Sequence, residues 1–182
     1  MTEPTSRLPG DMPAASAVAR MIRVDHAGEY GAVRIYQGQL AALRRSDKSD
    51  LLRHMLAQEQ VHLATFNRLV ADRRVRPTAL LPVWHLAGFA LGALTASLGE
   101  RTAMACTVAV EEAIDAHYQK QLDTLDRSEP ELRATISQFR TEELEHRDTG
   151  LAHGAEQAPA YRLLSAVIKT GCRAAIALSE RI

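Results

Sequence analysis

The chain has 182 residues, with 22 Lys and Arg set against 22 Asp and Glu, so its formal net charge is zero. That length suits one domain with one sizeable core, and the charge balance excludes the basic excess of a nucleic-acid binder. Aromatic residues are few and alanine is frequent, a composition that favours helix.

In chain order, residues 1–20 read as a loose tail. They hold Pro4, Pro9 and Pro13 with the acids Glu3 and Asp11, and no apolar run. That is neither a secretory signal nor an acid-poor transit peptide. Residues 21–182 read as a single domain. Helical periodicity dominates there and no alternating strand pattern competes. The pattern predicts helices near 21–44, 50–73, 79–97, 100–126, 130–153 and 160–180. The breaks have chemistry behind them. Residues 45–49 are polar and offer Ser46, Asp47 and Ser49 as N-caps. Ser128 and Glu131 form a candidate capping box around Pro130. Pro77 and Pro159 mark two further stops. Cys106 and Cys172 lie far apart, match no metal spacing and read as small buried hydrophobes.

Steps of three and four residues pick out the inward stripes. The first helix gives Ile22, Asp25, Glu29, Val33, Tyr36 and Leu40. The second gives Leu52, Met55, Glu59, His62, Phe66 and Leu69. The fourth gives Thr107, Glu111, Ile114, Tyr118, Leu122 and Leu125. The fifth gives Leu132, Ile136, Phe139, Glu143, His146 and Gly150. Each stripe is mostly apolar with ionisable groups at its centre, and a charge on a core face is costly unless it is paired or metal-bound. The stripes also repeat. Glu59 and His62 recur 84 residues later as Glu143 and His146, and Glu29 and Tyr36 recur 82 residues later as Glu111 and Tyr118. Two duplicated helical hairpins are therefore expected.

Glu59 with His62, and Glu143 with His146, are each spaced i, i+3, which puts both groups on one helix face. The midpoint between Glu29 and the Glu59/His62 pair falls at about residues 44–46, and that between Glu111 and the Glu143/His146 pair at about 127–129. Both midpoints coincide with the turns assigned from capping chemistry, so an antiparallel hairpin brings each ligand set level. Four glutamates and two histidines then meet. This is the ligand set of ferritin-like di-iron and di-manganese bundles, matched here as a pattern. Two divalent ions would neutralise four carboxylates, and oxygen-rich ligation with two imidazoles suits iron or manganese better than zinc. The candidate metal ligands are Glu29, Glu59, His62, Glu111, Glu143 and His146. Glu29 and Glu111 are expected to bridge or flank the ions, and the sequence does not say which carboxylate bridges.

Several residues keep two readings. Asp25 is a candidate hydrogen-bond acceptor for a ligand histidine or a charge favoured by the helix dipole. His117 and Tyr118 are candidates for substrate contact, with core packing the alternative for Tyr118. His26, His54, His85 and His153 read as surface or structural groups. Residues 83–98 read VWHLAGFALGALTASL, an apolar run from Val83 to Leu98 in which His85 is the one ionisable side chain. It is too short to span a bilayer. A helix partly immersed in the membrane surface is expected, with a buried crossover helix or a dimer face as the alternative. Trp84 would then sit at headgroup level.

With these residues in view, the chain resembles the demethoxyubiquinone hydroxylases of ubiquinone biosynthesis. The resemblance runs from Met21 to Ile182 and rests on MIRVDHAGEYGA at 21–32, RVRPT at 74–78, FALGA at 89–93, MACTVAVEEAI at 104–114, HY at 117–118, EELEH at 142–146, and APAY with GCRAAIALSERI near the end. It implies an all-α, ferritin-like four-helix bundle with an apolar crossover helix and a C-terminal helix. It also implies a diiron monooxygenase that hydroxylates the ring of a polyprenyl demethoxyubiquinol with O2. Two Fe ions per subunit would be held by the six residues already named. Electrons would come from an external reductant, with NADH or the quinol itself as candidates, since the chain has no GxGxxG fingerprint and no Fe–S cysteine pattern. The resemblance further implies peripheral attachment to an inner membrane, with a scaffold protein of the pathway as partner in some organisms and a homo-oligomer as a candidate state. The start of the chain lacks a mitochondrial leader, so a bacterial protein on the cytoplasmic side is expected. Asp115 stands where a less charged residue is expected. The alternatives are a ferritin-like iron-storage protein, a dimanganese catalase and a quinone-binding scaffold.

Overall fold

The computed structural model describes residues 14–125 and 127–182. Among them are six α-helices and no strand: α1 (Ala14–Leu43), α2 (Ser49–Asp72), α3 (Leu81–Ser97), α4 (Glu100–Thr124), α5 (Pro130–Ala152) and α6 (Tyr161–Ser179), with a single 3-10 turn at Ala155–Gln157. Helices α1 and α2 form one hairpin and α4 and α5 the other. The chain is all-α, and its four-helix centre is the ferritin-like bundle.

The duplication goes further than paired hairpins. Helix α3 folds back onto α1, the first helix of its own half, and α6 folds back onto α4 in the same way. Each half is thus a helix triplet.

The inward stripes are buried as expected. All six stripe residues of α5 are buried, as are five of the six in α1 and in α2. Helix α4 departs from a single stripe: Thr102 through Glu111 are buried on every side. The cause is its position, since α5, α6, α3 and α1 all pack on it. Its small side chains Ala103, Ala105, Cys106 and Ala109 allow such close neighbours.

Two expectations need correction. Helix α1 begins at Ala14, so residues 14–20 are not tail. Past Pro13 the chain reads AASAVAR, without proline or glycine, and Val18 is buried in a cluster with Ile22, Phe66 and Tyr118. The rest of the expected tail, residues 1–13, lies outside the described residues. The caps also differ. Lys48 and Glu129 are the N-cap residues of α2 and α5, and neither caps its helix with its own side chain. Ser46 Oγ instead accepts from the Lys48 backbone N–H at 3.0 Å. The Glu129 carboxylate accepts from Arg73 at 2.9 and 3.1 Å, tying the α4–α5 turn to the end of α2.

Helix α3 lies so close to α1 that backbone meets backbone at the glycines between them. A methyl group at Gly92 would collide with the Ile35 carbonyl, and one at Gly38 with the Phe89 carbonyl. Gly88 faces the Gly31 carbonyl and the Arg34 Cβ. The opposite face of α3 exposes Val83, Leu86 and Leu94, Leu98 is exposed just past its end, and α6 exposes Leu163, Val167 and Leu178. The apolar run is therefore a half-packed helix with a bare outer face. No helix among the described residues is long and apolar enough to cross a membrane.

This contact makes a prediction. Gly92→Ala should destabilise the fold by about 1–3 kcal/mol through overpacking. Gly171→Ala, at an exposed helical glycine with open space around it, should change stability by less than ~1 kcal/mol. Thermal unfolding of the two variants beside the parent protein checks the difference.

Candidate metal centre

The four bundle helices each bring one or two ionisable groups to a common level. Glu29 comes from α1, Glu59 and His62 from α2, Glu111 from α4, and Glu143 and His146 from α5. All six are buried to within a few per cent of full enclosure. In α2 and α5 the i, i+3 spacing sets glutamate and histidine on one face.

The six form two overlapping groups, each compact enough to hold one metal ion. One is Glu29, Glu59, His62 and Glu143; the other is Glu59, Glu111, Glu143 and His146. Glu59 and Glu143 belong to both. Glu59 turns Oε2 to His62 Nδ1 (4.0 Å) and Oε1 to His146 Nδ1 (3.0 Å). Glu143 turns Oε1 to His62 Nδ1 (3.2 Å) and Oε2 to His146 Nδ1 (3.4 Å). The shared carboxylates are thus the two from the Glu-x-x-His pairs, while Glu29 and Glu111 stand at the ends, the flanking one of the two places expected for them.

The atoms facing the middle of this cluster have no hydrogen-bond partner. They are Glu29 Oε2, both oxygens of Glu59 and Glu143, Glu111 Oε2, and Nδ1 of His62 and His146. Buried polar atoms left in this way are costly. The outward atoms, by contrast, are satisfied. Tyr118 donates its hydroxyl to Glu29 Oε1, and Tyr36 donates to Glu111 Oε1 at 2.8 Å. The His62 Nε2 meets Glu142 at 2.5 Å and the His146 Nε2 meets Gln58 at 3.0 Å. Both histidines therefore turn Nδ1 inward. A donor set of six, satisfied outside and open inside, fits a pair of divalent cations.

Electrostatics says the same. Burial raises the Glu59 carboxyl well above its ordinary value, with Glu143 and Glu29 adding repulsion. Burial also raises Glu111 and Glu29. Burial would raise Glu143 too, but the imidazoles of His146 and His62 beside it outweigh that and hold its carboxyl down at about 2. Burial would lower His62, yet the adjacent Glu143 and Glu29 carboxylates win and push it up to about 12. His146 is raised likewise, the adjacent Glu143 carboxylate overcoming desolvation. Burial and the neighbouring carboxylates lift Tyr36 and Tyr118 well above the phenol range, so both remain donors.

The other candidate residues sort as follows. Tyr118 is buried and holds Glu29. His117 Nε2 meets Asp25 Oδ1 at 3.1 Å, and Gln121 donates to the same oxygen at 2.7 Å. Asp25 thus serves His117 and Gln121 rather than a ligand histidine, because its side chain points to α4 one turn from Glu29. Asp115 accepts from Arg140 Nε at 2.6 Å, which accounts for its charge. His26 is buried and pairs with Asn67, His85 with Tyr30, and His153 with the Thr149 carbonyl, while His54 is exposed. Tyr36, Gln58 and Glu142 were not singled out as site residues. The repeat held the signal for all three: Tyr36 recurs as Tyr118, and Gln58 recurs as Glu142 directly before the second ligand pair.

The titrations predict a pH dependence for protein stripped of metal by a chelator. Glu29, Glu59 and Glu111 are raised, so their contribution to stability is full below their unfolded value of 4.5 and is lost as pH rises. His62 and His146 act in the same direction above 6.5, and Glu143 opposes them only below 4.5. The melting temperature of chelated protein should therefore fall steadily from pH 5 to pH 9. Reloading with Fe²⁺ or Mn²⁺ should flatten that slope and release protons to a pH indicator.

Comparison with known proteins agrees with this geometry. The chain is 65% identical over 177 residues to a protein of Rhodospirillum rubrum named 3-demethoxyubiquinol 3-hydroxylase, covering 97% of this chain and 84% of the relative. It is 58% identical to the mouse protein named NADPH-dependent 3-demethoxyubiquinone 3-hydroxylase, mitochondrial, covering 91% of this chain and 78% of that one. The human protein of the same name is 56% identical, with 92% and 79% covered. Residues 16–179 match the family described as Ubiquinone biosynthesis protein COQ7, and the chain belongs to that family.

Proposed function

We propose that this chain is a 3-demethoxyubiquinol 3-hydroxylase, an O2-dependent diiron monooxygenase that adds one oxygen to the ring of a polyprenyl demethoxyubiquinol. The observation that carries this reading is the pair of buried ligand groups sharing Glu59 and Glu143. In this reading Glu59 and Glu143, which belong to both groups, would help to hold both iron ions, with Glu29 and His62 completing one set of ligands and Glu111 and His146 the other. Four carboxylates and two imidazoles suit iron, and two ferrous ions balance the four negative charges. The family match favours a hydroxylase over the iron-storage, catalase and scaffold alternatives.

Iron bound here supplies the redox chemistry of O2 activation. The chain's own residues do the rest. Tyr118 and Tyr36 fix Glu29 and Glu111 through one oxygen each and leave the other oxygen free to bind. The buried walls keep water from the reacting atoms. His117, held by Asp25 and Gln121, clamps α4 to α1 beside Tyr118 at the end of the site. One oxygen atom goes to the ring carbon, and the other leaves as water with two electrons and two protons. Reduced nicotinamide, NADH or NADPH, is the external electron source, in keeping with the names of the mammalian relatives.

The substrate is lipophilic, and the bare faces of α3 and α6 supply a lipid-facing surface. Trp84 Nε1 donates to Ser179 Oγ at 3.1 Å and ties the start of α3 to the end of α6. A cavity of about 410 Å³ lined by Tyr30, Leu81, Pro82, His85 and Leu86 opens on that side. We place the protein peripherally on the cytoplasmic face of a bacterial inner membrane, with these helices against lipid.

Two measurements check this reading. Protein loaded with iron and given demethoxyubiquinol, O2 and NADH should yield a product one oxygen heavier by mass spectrometry, and Glu111→Ala should abolish that product while keeping the helical circular-dichroism spectrum. In vesicle flotation, Leu86→Glu with Leu94→Glu should lower membrane binding at least ~10-fold, since each change removes exposed apolar surface and adds a charge.

A further inference from the structure

The two ligand groups are alike in composition. Each has three carboxylates and one imidazole, and each takes Glu59 and Glu143 in common. Each adds one end glutamate whose outer oxygen accepts a tyrosine hydroxyl. The match ends one step further out. Glu142 meets the Nε2 of His62, and Gln58 meets the Nε2 of His146. These two residues occupy equivalent positions in the repeat, each directly before a ligand glutamate and each facing the histidine of the other half. One is a carboxylate and the other an amide. Glu142 is also braced, because Gln138 Nε2 donates to its Oε1 at 2.9 Å.

A histidine that binds metal through Nδ1 passes on the character of its Nε2 partner. A carboxylate that accepts the Nε2 proton makes the imidazole a stronger donor, and an uncharged amide oxygen does so less. We propose that the two metal positions are inequivalent by construction. The position at His62, backed by Glu142, binds a divalent ion more tightly and fills first; the position at His146, backed by Gln58, fills second. This inference rests on the dimetal reading above and adds an order to it. Gln58 and Glu142 are positioning residues that act through the histidines.

The test uses manganese as probe. Chelated full-length protein receives Mn²⁺ without O2, calorimetry reads the stepwise affinities, and anomalous scattering from crystals grown at one equivalent locates the ion. The first ion should lie beside His62, and the first step should be about 10–100-fold tighter than the second, the usual effect of changing such an outer partner. Gln58→Glu combined with Glu142→Gln keeps the charge count and should move the first ion to His146. Gln58→Glu alone, which spares Glu142, should bring the two steps together. Equal manganese at both positions in the parent protein, or a first ion that stays at His62 in the double variant, would overturn the proposal and leave the dimetal reading standing. A folded protein that binds no manganese would overturn both.

Discussion

Four carboxylates enclosed in one apolar core are the constraint on which this molecule turns. Two pairs of opposite charge, one from each half of the chain, meet at the middle of the bundle with their inner atoms unpaired. Protein packing alone does not stabilise such a cluster, because desolvation and mutual repulsion act together on the acids. Cations at the centre remove both penalties at once. The surrounding structure is arranged to suit them: outer atoms are tied by Tyr36, Tyr118, Gln58 and Glu142, and inner atoms are left for a ligand. Stability and the proposed chemistry therefore share one origin, since the charges that make the folded chain hard to form are those that fit metal ions.

Around that centre the helices divide the labour. The bundle helices α1, α2, α4 and α5 carry the ligands and hold them in register. Helices α3 and α6 bring no ligand; each covers the first helix of its own half and turns apolar side chains outward. Backbone contact at Gly38, Gly88 and Gly92 lets α3 cover α1 at close range. The division keeps the acids at the buried centre and leaves the exposed apolar side chains to the outer helices.

Much of this was legible in the sequence, and the reasons are local. Glu59 with His62 and Glu143 with His146 declared themselves because helical spacing is rigid, and Glu29 and Glu111 followed from equal distances to two turns. The resemblance in MIRVDHAGEYGA and EELEH named the family that the comparisons then found. What escaped depended on contacts between elements. Nothing in the spacing shows that Asp25 reaches across to His117 rather than to a ligand, or that the end of the supposed tail continues α1 because Val18 finds a core. The capping box around Ser128 was sound as a pattern, yet Glu129 was drawn to Arg73 across the bundle. Which carboxylates are shared could not be read either, since bridging is set by how two hairpins dock. The residues before each ligand pair, Gln58 and Glu142, were visible in the repeat, but their pairing across halves needs coordinates.

The two tyrosine bonds run crosswise: Tyr36 of the first half holds a glutamate of the second, and Tyr118 of the second half holds a glutamate of the first. The outer partners of the histidines cross over in the same manner. Neither triplet could assemble a centre by itself. Two copies of one triplet would close such a centre only as a symmetric pair, with the same outer partner behind both histidines. With both triplets in one chain that symmetry is not imposed, and Gln58 can stand where its counterpart is Glu142.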